Sequence, residues 1–566
     1  MYFQFFAQNV GTLVFWLLFV PTVLCAANAE RNRPIDNVMI LLYAQEVSVF
    51  IVFYPRISVG YLLFLQIHKE LIMCESCNGD GLDRRDFLKL SGTAAALGGM
   101  LATTALAQNA DRTPTTAPLE KKQTKMTVLF MYPPIDVVNE GLLEDAWAVH
   151  HWATYPCNQF EAEMNQEKYT KKVVEFAKMY NIELDMQGVI YTKARMAEFI
   201  AKMKAAPPDA VLVFNFWNTF SGWIFEMSQQ LAPLPIIVYH PLGASHQHPP
   251  KNLMTAPGMV YIHSQENWEI LENAMAAANA RKRMSQSRLL SISDVREPTK
   301  GLDANLGVEI VTIPATEYND LFDSIQADDA MVRDAMAFKA KAIDVIDVED
   351  KYFVEGFRSK KAVDEIMKRY GADAITITCL MLKERKPCIG FSLNNSAVVP
   401  CACENDLSSA MSLMIGAHLF QRGGFQHNPG FDINRNQYYG SHCTSALEMF
   451  GPGKGELPFR IRPFAHQLPK TAALDLQFPP GEKTIVMKYI SPQNRIFTYT
   501  GTMVGSPEIN VVGGCATRFI MEMDKIDDVC TTYHAPHPIL FFGTPTEAKR
   551  LHDFAKLTNL EFIGNV

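Results

Sequence analysis

Residues 403 to 420, CENDLSSAMSLMIGAHLF, set two carboxylates, Glu404 and Asp406, in front of a nearly unbroken apolar run of helical length. Acids in that place have two uses. Asn405 or Asp406 can accept backbone N–H groups of the first helical turn, where the helix dipole also favours negative charge. Glu404 comes one or two residues earlier, at the carboxyl end of the strand-like run VVPCAC, and open α/β sheets place their ligand chemistry at the carboxyl ends of strands. Capping therefore accounts for Asp406 and leaves Glu404 as a candidate hard-metal ligand or general base. Cys401 and Cys403 alternate with Ala402, so on a strand they face the same way; their spacing is too short for a zinc site and reads as buried packing.

Imidazoles that could join Glu404 are few. His537 stands between Pro536 and Pro538 in APHPILFFG, where an extended chain can hold a ring rigidly, with His534 as the alternative in the same segment. His442 ends an apolar strand in YGSHC and is either a ligand or a core histidine. His418, inside the apolar helix, reads as a hydrogen-bonded core residue. The loop HPLGASHQHPPK carries His240, His246 and His248 after a strand, without a spacing that brings those rings together.

The elements that must position these groups read as an α/β chain. MTVLFMY (126–132), MQGVIYT (186–192), DAVLVFNFW (209–217) and PIIVYH (235–240) have strand character and alternate with helical periods in QEKYTKKVVEFAKMYNI, KARMAEFIAKMKAA and SGWIFEMSQQLA. Strands separated by helices of that length imply a helix-covered parallel sheet of Rossmann-like layout. Two long helices over 328–346 and 351–371, then a strand in DAITITCLML (373–382), begin a second α/β block. From about residue 466, ALDLQF, KTIVMKYI, RIFTYTGTMVGS, NVVGG and TRFIMEM are short and β-rich, predicting a small C-terminal antiparallel barrel or sandwich. Neither G-x-G-x-x-G after the first strand nor G-x-x-x-x-G-K-[ST] anywhere occurs, so no nucleotide fingerprint is present. The expected domains are 126–300 and 301–465, both α/β, and 466–566.

At 566 residues the chain exceeds one hydrophobic core, and its net charge of −8 with 52 scattered basic residues excludes a surface built for nucleic acid. Eight of the 11 cysteines lie beyond residue 107 without disulfide spacing. DRRDFLKLSGTAAALGGMLATTALAQ (83–108) joins Arg84 and Arg85, a mild apolar stretch and an A-x-A site, the anatomy of a twin-arginine export signal over 73–107. Residues 1–72 contain two apolar blocks but no basic n-region, and read as an upstream extension ahead of Met73, with a membrane anchor as the alternative. A polar linker at 108–125 follows. Export to the periplasm, and membrane contact only through that signal, are the resulting expectations.

CENDLSSAMS, then GGFQHNPGFDINRNQYYGSHCTSALEMFG, PFRIRPFAHQL and the closing HPILFFGTPTEAKRLHDFAKLTNLEFI together resemble the L-fucose isomerase and L-arabinose isomerase superfamily. The layout resembles it over 126–566 and the motifs over 401–566. The resemblance implies a homo-oligomeric aldose–ketose isomerase in carbohydrate metabolism, with a divalent metal, usually Mn2+, and a small sugar as substrate. By the same resemblance Glu404 is ligand and acid/base residue, and His537 and His442 are ligands. At the second acidic position this chain has Asn428. An amide oxygen can touch a metal but cannot shuttle a proton, so His427 or Asp432 would have to substitute. The other expectation is an exported carbohydrate-binding protein that has kept the pocket without the reaction.

Overall fold

The computed structural model describes residues 117–140, 161–244, 250–464, 471–507, 515–524 and 535–564, together with the backbone of three short strands nearer the N-terminus. Those strands, Met39–Ala44, Val47–Val52 and Leu62–Leu65, form an antiparallel sheet within a unit of the first hundred residues. The export signal expected at 73–107, His246, His248, His534 and NVVGG lie outside the described residues. No helix among the described residues is long and apolar enough to cross a membrane.

The second unit is mixed α/β. Its first sheet has five parallel strands in the order Ile182–Met186, Thr124–Met131, Ala210–Asn215, Ile236–Pro241, Met259–Ser264. The central strands AVLVFN and IIVYHP are buried at every position, as expected of runs covered by helices on both faces. The strand expected at 186–192 is displaced: helix Ala162–Tyr180 ends at Asn181 in a left-handed conformation, and IELDM enters the sheet at once. Beyond Met186 the later run keeps two backbone bonds to the sheet, from the Gln187 N–H to the Val128 carbonyl at 2.9 Å and from the Ile190 N–H to the Phe130 carbonyl at 2.9 Å.

The second sheet runs Thr299–Leu302, Glu309–Pro314, Arg288–Ser293, Ala374–Ile377, Cys401–Cys403, parallel except for its first strand. The strand expected over 373–382 is short, because Cys379–Leu382 turn into a 3-10 helix directly after it. Cys401 and Cys403 pack into the core on one side of this sheet and Ala402 into the core on the other, so the two thiols do share a face.

The C-terminal part is antiparallel and begins earlier than residue 466. Its strand order is Phe425–Gln426, Ile539–Phe542, Lys483–Ile490, Arg495–Gly505, Thr517–Met523, Gln437–His442, Asn428–Asp432, with Glu561–Gly564 added beside Arg495–Gly505. The continuous segment 425–432 pairs at its start with one end of this order and at its finish with the other, which closes the sheet into a barrel. Phe425, Tyr438, Val486, Phe497, Phe519 and Leu540 fill the interior. Sequence pattern missed the opening strands because NPGFD carries Pro, Gly and Asp where alternation would otherwise show.

Helix Leu407–Phe420 lies between the second sheet and the barrel, and is apolar all round because it is buried all round. Its serines are exceptions with partners: Ser412 Oγ accepts the Tyr489 N–H at 2.8 Å from the barrel. Gly416 is the point of closest approach, where an added Cβ would run into the Phe541 ring.

Gly416→Ala should therefore reverse the usual preference for alanine inside a helix. Instead of a gain of about 0.5–1 kcal/mol, overpacking should cost about 1–3 kcal/mol, measured as a lower urea midpoint with unchanged slope. An unchanged or raised midpoint would mean that helix and barrel are not in contact there.

Burial pushes both His240 and His418 down to about 4 from the ordinary imidazole value. Below about pH 6.5 the unfolded chain takes up protons that these rings refuse in the fold. Their contribution to stability is thus complete above that pH and is lost as pH falls toward 4. Proton uptake on unfolding should be larger at pH 5.5 than at pH 7.5; equal uptake at both would contradict this.

Candidate metal centre

The site forms where the last strand of the second sheet meets the barrel. Cys401–Cys403 is an edge strand, so its outer backbone groups need partners. The Gln426 side chain supplies them for Cys403, accepting its N–H at 2.7 Å and donating to its carbonyl at 3.2 Å, as a neighbouring strand would. The chain then turns sharply, with Glu404 and Asn405 both left-handed at φ 62° and 55°. That conformation is costly for residues with a Cβ and persists only where the surroundings impose it. Here Asn405 imposes it. Its N–H bonds the Ile377 carbonyl at 3.0 Å, and its amide bridges Ser291 Oγ at 2.7 Å and Ser293 Oγ at 2.9 Å on the strand beyond.

Asp406 caps the helix, its Oδ1 accepting the Ser409 N–H at 2.8 Å. Its other oxygen does more than a cap requires: Oδ2 accepts from His537 Nδ1 at 3.1 Å and from Lys488 Nζ at 2.8 Å. Burial alone would raise the Asp406 pKa. The His537 bond, Lys488 and the Ser409 N–H outweigh it, and hold the carboxyl well below the ordinary carboxylate range.

With Asn405 pinned to the sheet and Asp406 to the helix, Glu404 projects between them. Its Oε1 lies 3.5 Å from His442 Nε2 and its Oε2 lies 3.4 Å from His537 Nε2. One ligand atom from each of Glu404, His442 and His537 falls within 4.8 Å of the others, and the two rings stand nearly perpendicular at 82°. His442 arrives from the end of its barrel strand, opposite Thr517. His537 arrives from the turn before Ile539–Phe542, itself left-handed at φ 51°.

These separations suit a shared cation better than hydrogen bonds. Donor atoms about 2.1 Å from a tetrahedral metal lie about 3.4 Å apart, whereas a strong carboxylate–imidazolium bond closes to about 2.7–2.9 Å. His442 makes the same point by its isolation. Its side chain is 2% exposed and neither ring nitrogen has a hydrogen bond, a costly condition for a buried polar ring. Burial also lowers its pKa, with Glu404 acting in the opposite direction, so the ring is held as a neutral donor. Two imidazoles and one carboxylate form a borderline set that fits Mn2+, Fe2+, Co2+ or Zn2+. Glu404, 27% exposed, is the member open to solvent.

The remaining candidates are placed elsewhere. Asn428 opens its barrel strand opposite Ser441, exposed, and directly opposed residues share a face, so its side chain emerges on the other face of the sheet from His442. His427 does not substitute for an acid: Phe425 O at 3.0 Å and Tyr438 Oη at 2.6 Å occupy its two nitrogens, and burial pushes it down to about 3. Asp432 caps the turn at 433–435, accepting from the Arg435 N–H. His418 is half-buried in its helix. His240 lies buried within Ile236–Pro241, bonded to Tyr261 Oη at 2.7 Å and to Ala244 O at 3.1 Å, and is not in a solvated loop. Lys488 and Ser409, which complete the surroundings of Asp406, went unmarked in the sequence. The signal for Lys488 was a cation in the middle of the apolar strand KTIVMKYI, whose other lysine, Lys483, opens it exposed.

No protein-family profile matches the chain, and no curated protein sequence matches it. Among solved structures, the sugar-binding protein of a sugar ABC transporter from Bacillus halodurans is similar over 55% of this chain and 91% of that one, at 10% identity and a TM-score of 0.14. That score is too low to bear on the fold or the function of this chain.

Metal-free protein titrated with Mn2+ or Co2+ should take up one ion per chain. Replacing His442 or His537 by Ala removes a direct ligand, so affinity should fall by more than the 10–100-fold typical of an outer-shell loss. Calorimetric titration reads this directly, and an affinity unchanged from the unmodified chain in both variants would place the ion elsewhere.

Proposed function

We propose that this protein is a metal-dependent aldose–ketose isomerase of the L-fucose and L-arabinose isomerase kind, using Mn2+ or a similar divalent ion and exported by the twin-arginine pathway. The observation that carries this reading is the convergence of Glu404, His442 and His537 at the carboxyl end of a parallel strand, with the carboxylate facing solvent. A bound divalent ion would stabilise the negative charge that develops on two neighbouring sugar oxygens as the carbonyl moves from C1 to C2.

The protein's own groups would do the rest. Glu404 is held by the Asn405 anchor with its carboxylate at the opening, placed to take a proton from one sugar carbon and return it to the next. Glu404 alone can carry the proton from C2 to C1 on one face of a cis-enediol; the hydroxyl proton that leaves O2 and the one that reaches O1 would be exchanged with solvent beside the carboxylate, because Asn428 cannot carry them. Asp406 is occupied by His537, Lys488 and the helix and is not a second base. His442 and His537 would hold the ion, the former kept neutral by burial.

The second reading, a carbohydrate-binding protein without turnover, draws on Asn428, whose exposed amide supplies no acid at that position. The two readings separate in one experiment. Mn2+-loaded protein is assayed on a panel of aldopentoses and 6-deoxyhexoses for ketose formation, and in D2O for deuterium at C1 of the ketose and at C2 of the recovered aldose. Turnover that drops by about 10²–10⁴-fold in Glu404→Gln is the expected result. Sugar binding by calorimetry without conversion of any panel member would sink the isomerase reading and leave the binding protein.

A further inference from the structure

Lys488 is the one ammonium group among the described residues that is buried against the candidate centre, 2% exposed on an inward-facing barrel position. A lysine is rarely placed so deep, because removing its charge from water costs several kcal/mol unless each donor is used. All three are used. Nζ donates to Asp406 Oδ2 at 2.8 Å, to Ser409 Oγ at 2.5 Å and to the His537 carbonyl at 3.2 Å. Ser409 Oγ in turn donates to the same carbonyl at 2.7 Å. Two of the three Nζ contacts end on His537 or on the carboxylate that touches it, and the third reaches His537 through Ser409.

We propose that Lys488 is a positioning residue for the metal centre, fixing through Asp406 both the orientation and the tautomer of His537. An ammonium can only donate, so the Asp406 oxygen it shares with His537 must be an acceptor toward both. His537 then carries a hydrogen on Nδ1, and Nε2, 3.4 Å from Glu404 Oε2, is the nitrogen left to face a cation. The carboxylate–histidine–metal arrangement works in this way wherever an outer-shell acid sets a ligand ring. The backbone is held by the same charge: with its carbonyl gripped by Lys488 and Ser409, His537 is kept at φ 51°, a left-handed conformation unfavourable for a residue with a Cβ. Ring and main chain of one ligand are thereby referenced to one cation on a neighbouring strand.

This inference rests on reading Glu404, His442 and His537 as a metal site, and Co2+ alone serves as the probe for both. The full chain, Lys488→Gln and Asp406→Asn are titrated with Co2+, following affinity and the visible ligand-field absorption, with circular dichroism as the check on folding. Expected for folded Lys488→Gln is a 10–100-fold weaker affinity and an altered absorption band, which a lysine serving only the fold would not move. Asp406→Asn keeps the shape of the carboxylate while offering an amide N–H to the ring, and should alter the band in the same sense. If the unmodified chain binds Co2+ and both folded variants match it in affinity and spectrum, the role of Lys488 is overturned and the metal site stands. Failure of the unmodified chain to bind Co2+ overturns the site and this inference with it. Should both variants fail to fold, nitrogen-15 shifts of His537 in the unmodified chain decide: the Nδ1–H tautomer supports the proposal and the Nε2–H tautomer overturns it.

Discussion

Asp406, a carboxylate at the mouth of a buried helix, is where sheet, helix and barrel are tied together. One oxygen ends the helix on the Ser409 N–H, and the other meets Lys488 from one barrel strand and His537 from the approach to another. Removing either member of such a buried pair typically costs about 3–5 kcal/mol, because the survivor is left charged and unpaired. The position of Glu404 follows from this knot, since it lies two residues before Asp406 and one before Asn405, which is pinned to the sheet. The meeting of Glu404 with His537 is thus a property of how two layers are joined. It is no accident of one loop.

Three left-handed residues meet at the same place. Glu404, Asn405 and His537 are all left-handed without being glycine; Asn405 is held by bonds to the second sheet, and His537 by bonds to the helix and to a barrel strand. Residues in such conformations cluster where a side chain must be aimed in a direction that relaxed backbone would not give it. The aim here is a gap bounded by one carboxylate and two imidazoles, of a width that suits a cation and leaves His442 otherwise without a partner. The centre differs in its acids from what the sequence led one to expect. Its second carboxylate is spent on positioning, and Asn428 faces away from His442.

Much of this was legible in the residues. Apolar runs alternating with helical periods gave the parallel sheets, because strands covered on both faces must be apolar throughout. Glu404, His537 and His442 were all marked as candidate ligands, His442 with a core histidine as its alternative; the extended chain expected around His537 is instead left-handed at φ 51°. What stayed hidden depends on partners distant in the chain. Asp406 looked like a cap and is one, but its second function needs Lys488, 82 positions later, and His537, 131 positions later. The start of the barrel at Phe425 was masked by NPGFD, whose composition reads as a turn although its backbone closes the barrel. The strand displaced from 186–192 to 182–186 turned on a left-handed Asn181 that composition does not announce.

The most direct measurement is an anomalous difference map from crystals grown with Mn2+ or Co2+, collected at the absorption edge of the metal. A single peak about 2.1 Å from Glu404, His442 Nε2 and His537 Nε2 is the expected result. A map without a peak between those side chains at saturating metal, or with its only peak at another place, would contradict a metal centre at the junction of sheet and barrel.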